Sequence, residues 1–159
     1  MQFENELKRI LRKELIRKKL GDQINIKIPR VLVHSLQWIS VGYASALYFA
    51  GKKLGTDVIA KGIAGADAKT VLRAIGKLFR DFGLGELELA ELSDSKAIVR
   101  IRESSTAYGM RPIGKPVCFF EAGLLAGVLE GRLKRKVSVN EVLCGGLGDE
   151  FEEFLIRFG

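Results

Sequence analysis

Hydrophobic positions recur at helical spacing through the first half of the chain and at strand spacing in much of the second. Over residues 1–20, Phe3, Leu7, Ile10, Leu11 and Leu15 follow the three-and-four spacing of an amphipathic helix, with basic residues around the remaining arc. Gly21 and Asp22 end it. Ile24, Ile26 and Ile28 alternate with Asn25 and Lys27, which predicts a short extended segment before Pro29, continued by residues 30–33. A mostly apolar helix is predicted over 36–54, with Gly55 as its stop. Small residues at Gly42, Ala44, Ser45 and Ala46 would let another backbone or a ligand come close. A short helical piece at 56–64 closes at Gly65, and Asp67 then caps a helix reaching about Phe82. Its Val71, Leu72, Ile75, Leu78, Phe79 and Phe82 form one stripe.

The period changes after Gly85. Residues 86–92 alternate Glu and Leu almost throughout, Ser93 and Asp94 make a turn, and 97–102 return as a second strand. A loop rich in Ser, Gly and Pro covers 104–116. A helix is predicted over 118–129, with Ala122, Gly123, Ala126 and Gly127 as small residues for close packing. Strands follow at 137–142 and 151–158, with Gly145, Gly146 and Gly148 between them. Helices first and then strands predict an α+β fold, with helices packed on one antiparallel sheet of about four strands.

At 159 residues the chain is most simply one domain: a basic amphipathic helix at 1–22 belonging with the body at 23–159. Its 47% apolar and 28% charged residues allow a core without disulfide staples. Two cysteines and a charged N-terminus without a leader predict a reducing, cytoplasmic setting. Residues 31–51 carry no Asp, Glu, Lys or Arg, but His34, Ser35, Gln37, Ser40 and Ser45 make them too polar for an expected membrane span. The net charge is +7, and residues 1–20 hold seven basic side chains against three acidic ones. A basic face can meet nucleic acid or an anionic surface. No aromatic or glycine-rich nucleic-acid motif accompanies this one, so a solvated face over a packed stripe is expected.

Candidate chemistry concentrates near the C-terminus, in Cys118, Glu141, Cys144 and Glu152. Strand alternation puts Glu141 on one face with Val137 and Val139, and Glu152 on one face with Phe154, Ile156 and Phe158. A carboxylate on an apolar face is costly unless paired. A metal ion held by the two thiolates and the carboxylates resolves that cost. The alternatives are inert core cysteines, glutamates at exposed strand ends, or pairing with Arg100 or Arg102 on a neighbouring strand.

From Cys118 onward the sequence resembles the 4-vinyl reductase domain family, itself similar in fold to subunits of the TRAPP vesicle-tethering complex. The resemblance is carried by Cys118, Gly123, Gly127, Val137, Val139, Glu141, Cys144, Gly148, Asp149 and Phe154, with Ser104 and Ser105 also fitting. Family members that sense aromatic compounds carry zinc on three cysteines and a glutamate. The resemblance maps these onto Cys118, Glu141 and Cys144, with Glu152 where the third cysteine would stand. Carboxylate oxygen also binds zinc, so the substitution makes the site harder and more anionic without abolishing it. Four filled positions imply a structural ion.

The resemblance further implies a module that holds a small, largely apolar molecule, as sensor or carrier. Trp38, Tyr43, Tyr48, Phe49, Tyr108 and Phe119 are candidate pocket walls, or core residues, and residues 106–115 a candidate lid. It also implies a homodimer and, in a chain with no output domain of its own, a separate protein partner. The alternatives are an enzyme or enzyme accessory acting on a vinyl or tetrapyrrole-type substrate, and an assembly or regulatory module without ligand. Against an enzyme, residues 145–148 are too short for a nucleotide-binding turn, and the single histidine, His34, has no evident nucleophile beside it.

Overall fold

The computed structural model describes residues 24–36, 39 and 42–159, together with positions 5, 9 and 19. The basic helix expected over 1–22, apart from those three positions, lies outside the described residues, as does Trp38.

Among the described residues, four helices pack on one open antiparallel sheet. In chain order they are α1 (Lys27–Ser35), α2 (Tyr43–Leu54), α3 (Ala68–Asp81), β1 (Glu86–Leu92), β2 (Lys96–Arg102), α4 (Phe119–Leu133), β3 (Val137–Leu143) and β4 (Glu152–Phe158). The sheet order is β1-β2-β4-β3, antiparallel throughout. Its inner face carries Ala97, Val99 and Ile101 of β2, Val137 and Val139 of β3, and Phe154, Ile156 and Phe158 of β4. These pack with Val71, Leu72, Ile75 and Phe79 of α3 and with Leu124, Leu125, Val128 and Leu129 of α4. The hairpin and the Asp67 cap form as the periodicity predicts, Asp67 accepting a 2.9 Å bond from the Thr70 N–H, and the α3 stripe forms from Val71 to Phe79; Phe82, which the spacing also places on it, lies past the helix end and is exposed.

Two expectations are corrected. Residues 27–35 are helical, not extended. Ile28, Val31 and Leu32 also satisfy the spacing of a helix face, and Pro29 falls in the first turn, where its missing N–H costs nothing. Asn25 Oδ1 accepts from the Lys27 N–H at 3.0 Å to start the helix. The second correction concerns α2, which does not begin at 36 and does not stop at Gly55. It starts at Tyr43 and continues past Leu54 through a π-helical stretch, Gly55–Ile59, into Ala60–Gly62.

Gly55 serves a different purpose from a stop. Its backbone is right-handed helical (φ −58°), and a Cβ there would lie 2.8 Å from the carbonyl oxygen of Leu124. On the facing helix, a Cβ at Gly123 would lie 2.0 Å from the Tyr48 carbonyl oxygen. The small residues therefore bring the α2 and α4 backbones into direct contact, and α4 is buried on nearly all sides from Glu121 to Leu129. This packing holds the start of α4, with Cys118 and Phe119, against α2 and the β3 edge.

Candidate metal centre and adjoining cleft

Strand periodicity aims two acids inward, as expected. Glu141 faces the helices with Val137 and Val139, and Glu152 is 2% exposed on the face of Phe154 and Ile156. Across the sheet, Glu141 is in register with Phe154, and Glu152 with Ile101. Neither acid is taken by the arginines considered above, since Arg100 pairs with Glu153 at 2.8 Å and Arg102 reaches Glu88 at 3.5 Å. Both arginines are on the outer face.

Cys118 immediately precedes α4, and Cys144 follows β3. Both are buried and neither is in a disulfide. The two sulfurs and a carboxylate oxygen of Glu141 lie within 4.8 Å of one another. Glu152 is not in that group, although its charge is felt at Cys118.

The turn after β3 is built to place Cys144. Its N–H donates to Asp149 Oδ2 at 2.8 Å, and its carbonyl accepts from Leu147, Gly148 and Asp149. Its sulfur accepts from the Gly146 N–H at 3.3 Å. Gly146 in turn lies against the 105–117 loop, where a Cβ would come within 2.4 Å of the Lys115 carbonyl oxygen.

The electrostatics distinguish the two thiols. Cys144 is held down to about 6, chiefly by the hydrogen bond it accepts from Cys118. Cys118, as the donor, is pushed well above the ordinary thiol value, and burial and the nearby acids add to the shift. Burial pushes the Glu141 carboxyl up to about 8 and that of Glu152 up to about 7.

Glu121 is a further buried acid whose charge acts on Cys118, and the sequence reading does not single it out. It is 3% exposed, its carboxyl is raised by burial, and its Oε1 accepts a short bond from the Thr106 hydroxyl. The signal was present: Glu121 is the sole charged residue in 116–129 and stands one helical turn after Cys118. Glu121 Oε2, Glu141 Oε1 and Glu152 Oε2 are all buried without a hydrogen-bond partner. Orphaned acid oxygens are rare in folded interiors and call for a missing cation or water. Together with two adjacent sulfurs, one drawn toward thiolate, the donor set fits a zinc ion.

An open cleft of about 540 Å³ adjoins this cluster, between α2, the start of α4 and the β3 edge. Tyr48, Phe49, Pro116 and Phe119 line it, and Glu141 reaches it from the cluster side. Tyr43 is stacked edge-on against Phe119 at 5.7 Å, with its hydroxyl buried and unpartnered. Tyr108 is 54% exposed and lines a different cleft, with Met110 and Pro112. The structure thus brings Tyr43, Tyr48 and Phe119 together beside the metal candidates and leaves Tyr108 apart. His34 is on α1, not on a strand, and its Nε2 lies 3.2 Å from the Thr106 carbonyl oxygen.

Comparison with known proteins places this arrangement. The family model of the 4-vinyl reductase domain matches residues 97–158, the segment that contains all four metal candidates. An uncharacterized protein of Methanocaldococcus jannaschii is 30% identical over 138 residues, covering 87% of this chain and 78% of its own. The phenol-responsive sensory domain of the transcription activator PoxR, solved with phenol, superimposes with a TM-score of 0.70 at 14% identity, over 97% of this chain and 89% of that one. Trafficking protein particle complex subunit 3 from Naegleria fowleri, covalently bound to palmitic acid, superimposes with a TM-score of 0.67 at 19% identity, over 87% and 97%. At these identities both structures speak to the fold alone. Among the described residues, no helix is long and apolar enough to cross a membrane.

Proposed function

The chain belongs to the 4-vinyl reductase domain family, and we propose that it is a small-molecule-binding module, sensor or carrier, whose ligand cleft is braced by a structural zinc ion. The observation that carries the reading is the adjacency of the two sites. Glu141 contributes to the cluster with Cys118 and Cys144 and also lines the cleft of Tyr48 and Phe119.

Cys118, Cys144 and Glu141 would hold the ion, with Glu152 the nearby acid best suited to complete the set. When bound, zinc supplies a compact double positive charge that neutralises buried thiolate and carboxylate and ties separate chain segments together. The chain's own residues do the rest. The Cys118 N–H orients Glu141 by a 3.0 Å bond, and the 144–149 turn fixes the Cys144 sulfur. Tyr48, Phe49 and Phe119 offer apolar and aromatic surface to a ligand, with the Tyr43 ring behind Phe119. A cleft of this size and make-up suits a small apolar or aromatic compound. The phenol held by the PoxR domain and the palmitic acid on the Naegleria subunit support that ligand class by analogy of fold.

Pairing with a second copy is part of the same proposal. Ile28, Val31 and Leu32 form an exposed apolar row on α1, which supports the expected homodimer.

Native mass spectrometry of protein purified without chelators tests the reading. It predicts one zinc per chain and a retained apolar compound. Metal-free protein with no retained compound, and no uptake of either on addition, would refute it.

A further inference from the structure

Resting on the ligand-cleft part of that reading, we infer that the ligand is an elongated apolar molecule with one carboxylate, its apolar end beside Phe119 and its carboxylate at a cationic subsite of Lys136 and Arg157. The cleft of Tyr48, Phe49 and Phe119 does not end at Tyr48. A second open cleft of about 640 Å³ adjoins it, and Tyr48 and Ser138 line both. The two form one groove, with α2 as one wall and β3 as the other. β3 is the last strand of the sheet, so its open edge faces the groove.

The groove is apolar at one end and cationic at the other, and the order of residues along each wall sets that gradient. On α2, Ala44, Tyr48 and Lys52 recur at a spacing of four and lie in one row. They take the wall from small to aromatic to charged over about 12 Å at helical rise. On the facing wall, α4 ends at Lys134 in a left-handed conformation (φ 57°) and β3 begins at Val137, which puts Lys136 at the start of the edge strand. From Lys136 to Glu141 this wall covers about 16 Å at strand rise. Arg157 of β4 is in register with Ser138. Lys136 and Arg157 are both exposed.

Charge at the second end is unbalanced. Lys52 Nζ pairs with Glu130 Oε1 at 2.9 Å, and the same oxygen accepts the Val137 N–H at 3.1 Å, so Glu130 is engaged within the fold. Among the described residues, neither Lys136 nor Arg157 has a carboxylate partner. Lys52, Lys136 and Arg157 outnumber the Glu130 side chain three to one, and exceed it three to two when a carboxylate at Gly159 is counted. Arg135 adds a further cation close by, over the Phe158 ring at 4.4 Å. At the far end of the groove the acid is Glu141. Cations at one end and an acid at the other orient a carboxylate ligand in one direction only. Its carboxylate gains charge-assisted hydrogen bonds from Lys136 and Arg157, and its body covers Tyr48 and Phe119.

Equilibrium dialysis of the full chain against 6-phenylhexanoate, and against 6-phenylhexan-1-ol with the same skeleton and no charge, tests the cationic end. The acid is expected to bind about tenfold more tightly than the alcohol, the scale of two ion pairs at exposed side chains. High salt should reduce that preference. Lys136→Gln combined with Arg157→Gln should bring the acid down to the alcohol and leave the alcohol unchanged. Each single variant should lower the preference about threefold, and serves where the double variant does not fold. Lys69→Gln combined with Arg73→Gln, which removes the same charge from exposed positions on α3, should keep the preference. Equal binding of acid and alcohol by the unmodified chain overturns the cationic subsite and leaves the cleft reading standing. So does a preference that survives loss of Lys136 and Arg157, or one lost equally in the α3 control. No binding of either compound overturns the cleft reading and the inference together.

Discussion

The backbone N–H of Cys118 donates a 3.0 Å hydrogen bond to Glu141 Oε2, joining the start of α4 to the middle of β3 across 23 residues of sequence. One bond thereby sets a candidate sulfur donor and a candidate oxygen donor relative to each other. It also engages one carboxylate oxygen and leaves the other, Oε1, buried and unpartnered.

Removing either sulfur should release the ion. Cys118→Ser and Cys144→Ser are each expected to lose most bound zinc. Each should also lower the melting temperature by about 10 °C, corresponding to roughly 3–5 kcal/mol in a domain of this size. Chelator treatment of the unmodified chain should lower it similarly, and should have little further effect on the variants. Metal analysis paired with calorimetry checks both.

The metal-free protein should respond to pH with a definite sign. Glu141 and Glu152 are raised by burial to about 8 and about 7, above their values in an unfolded chain. Between about pH 4.5 and 7 the folded state therefore holds more protons than the unfolded one, and stability falls as pH rises. Cys144, lowered to about 6, acts the other way between there and the ordinary thiol range, so the decline should flatten above neutrality. The Glu141 carboxylate and the Cys144 sulfur lie within 4.8 Å of each other, so the protonation of one affects the other. Zinc affinity should rise over the same range, because the ligands must shed protons to bind. Melting curves from pH 5 to 9, with and without chelator, test it; a chelated protein that grows steadily more stable across this range would contradict it.

The contact between α2 and α4 tolerates no side chain at its centre. Gly123→Ala would put a Cβ 2.0 Å from the Tyr48 carbonyl oxygen, a backbone atom that cannot swing aside. The expected loss is about 3 kcal/mol or more, at or beyond the upper end of overpacking penalties. Gly62→Ala, where a Cβ would meet nothing within 4 Å, is the matched control and should cost little. Urea denaturation of the two variants distinguishes them.

Much of this was legible in the sequence. Period-two alternation assigned Glu141 and Glu152 to the inner face because each continues, without a break, a run of apolar residues spaced two apart. The paired glycines announced a close helix crossing, though Gly55 looked like a stop when it is a contact. The same alternation misled at 24–33, because Ile24, Ile26 and Ile28 fit a strand while Ile28, Val31 and Leu32 fit a helix equally well. In so short a stretch, apolar spacing does not separate the two. Glu121 escaped because a lone acid on a helix is ordinarily assigned to the solvent side. The Thr106–Glu121 contact escaped because nothing local marks a hydroxyl whose partner is on another element.

The cleft should bind apolar probes through its aromatic wall and not through the metal. Phe119→Ala, which removes one side of the cleft, is expected to weaken binding of the fluorescent probe 8-anilino-1-naphthalenesulfonate by about tenfold. Zinc content should be unchanged, since the Phe119 side chain is not a ligand. Tyr108→Ala, in the separate cleft, should leave probe affinity as it was.

X-ray absorption at the zinc edge, on protein purified without chelators, tests the central claim most directly. Cys118 and Cys144 acting together predict two sulfur neighbours at about 2.3 Å and oxygen neighbours at about 2.0–2.2 Å. A shell of oxygen and nitrogen alone, or no zinc in the protein, would contradict it.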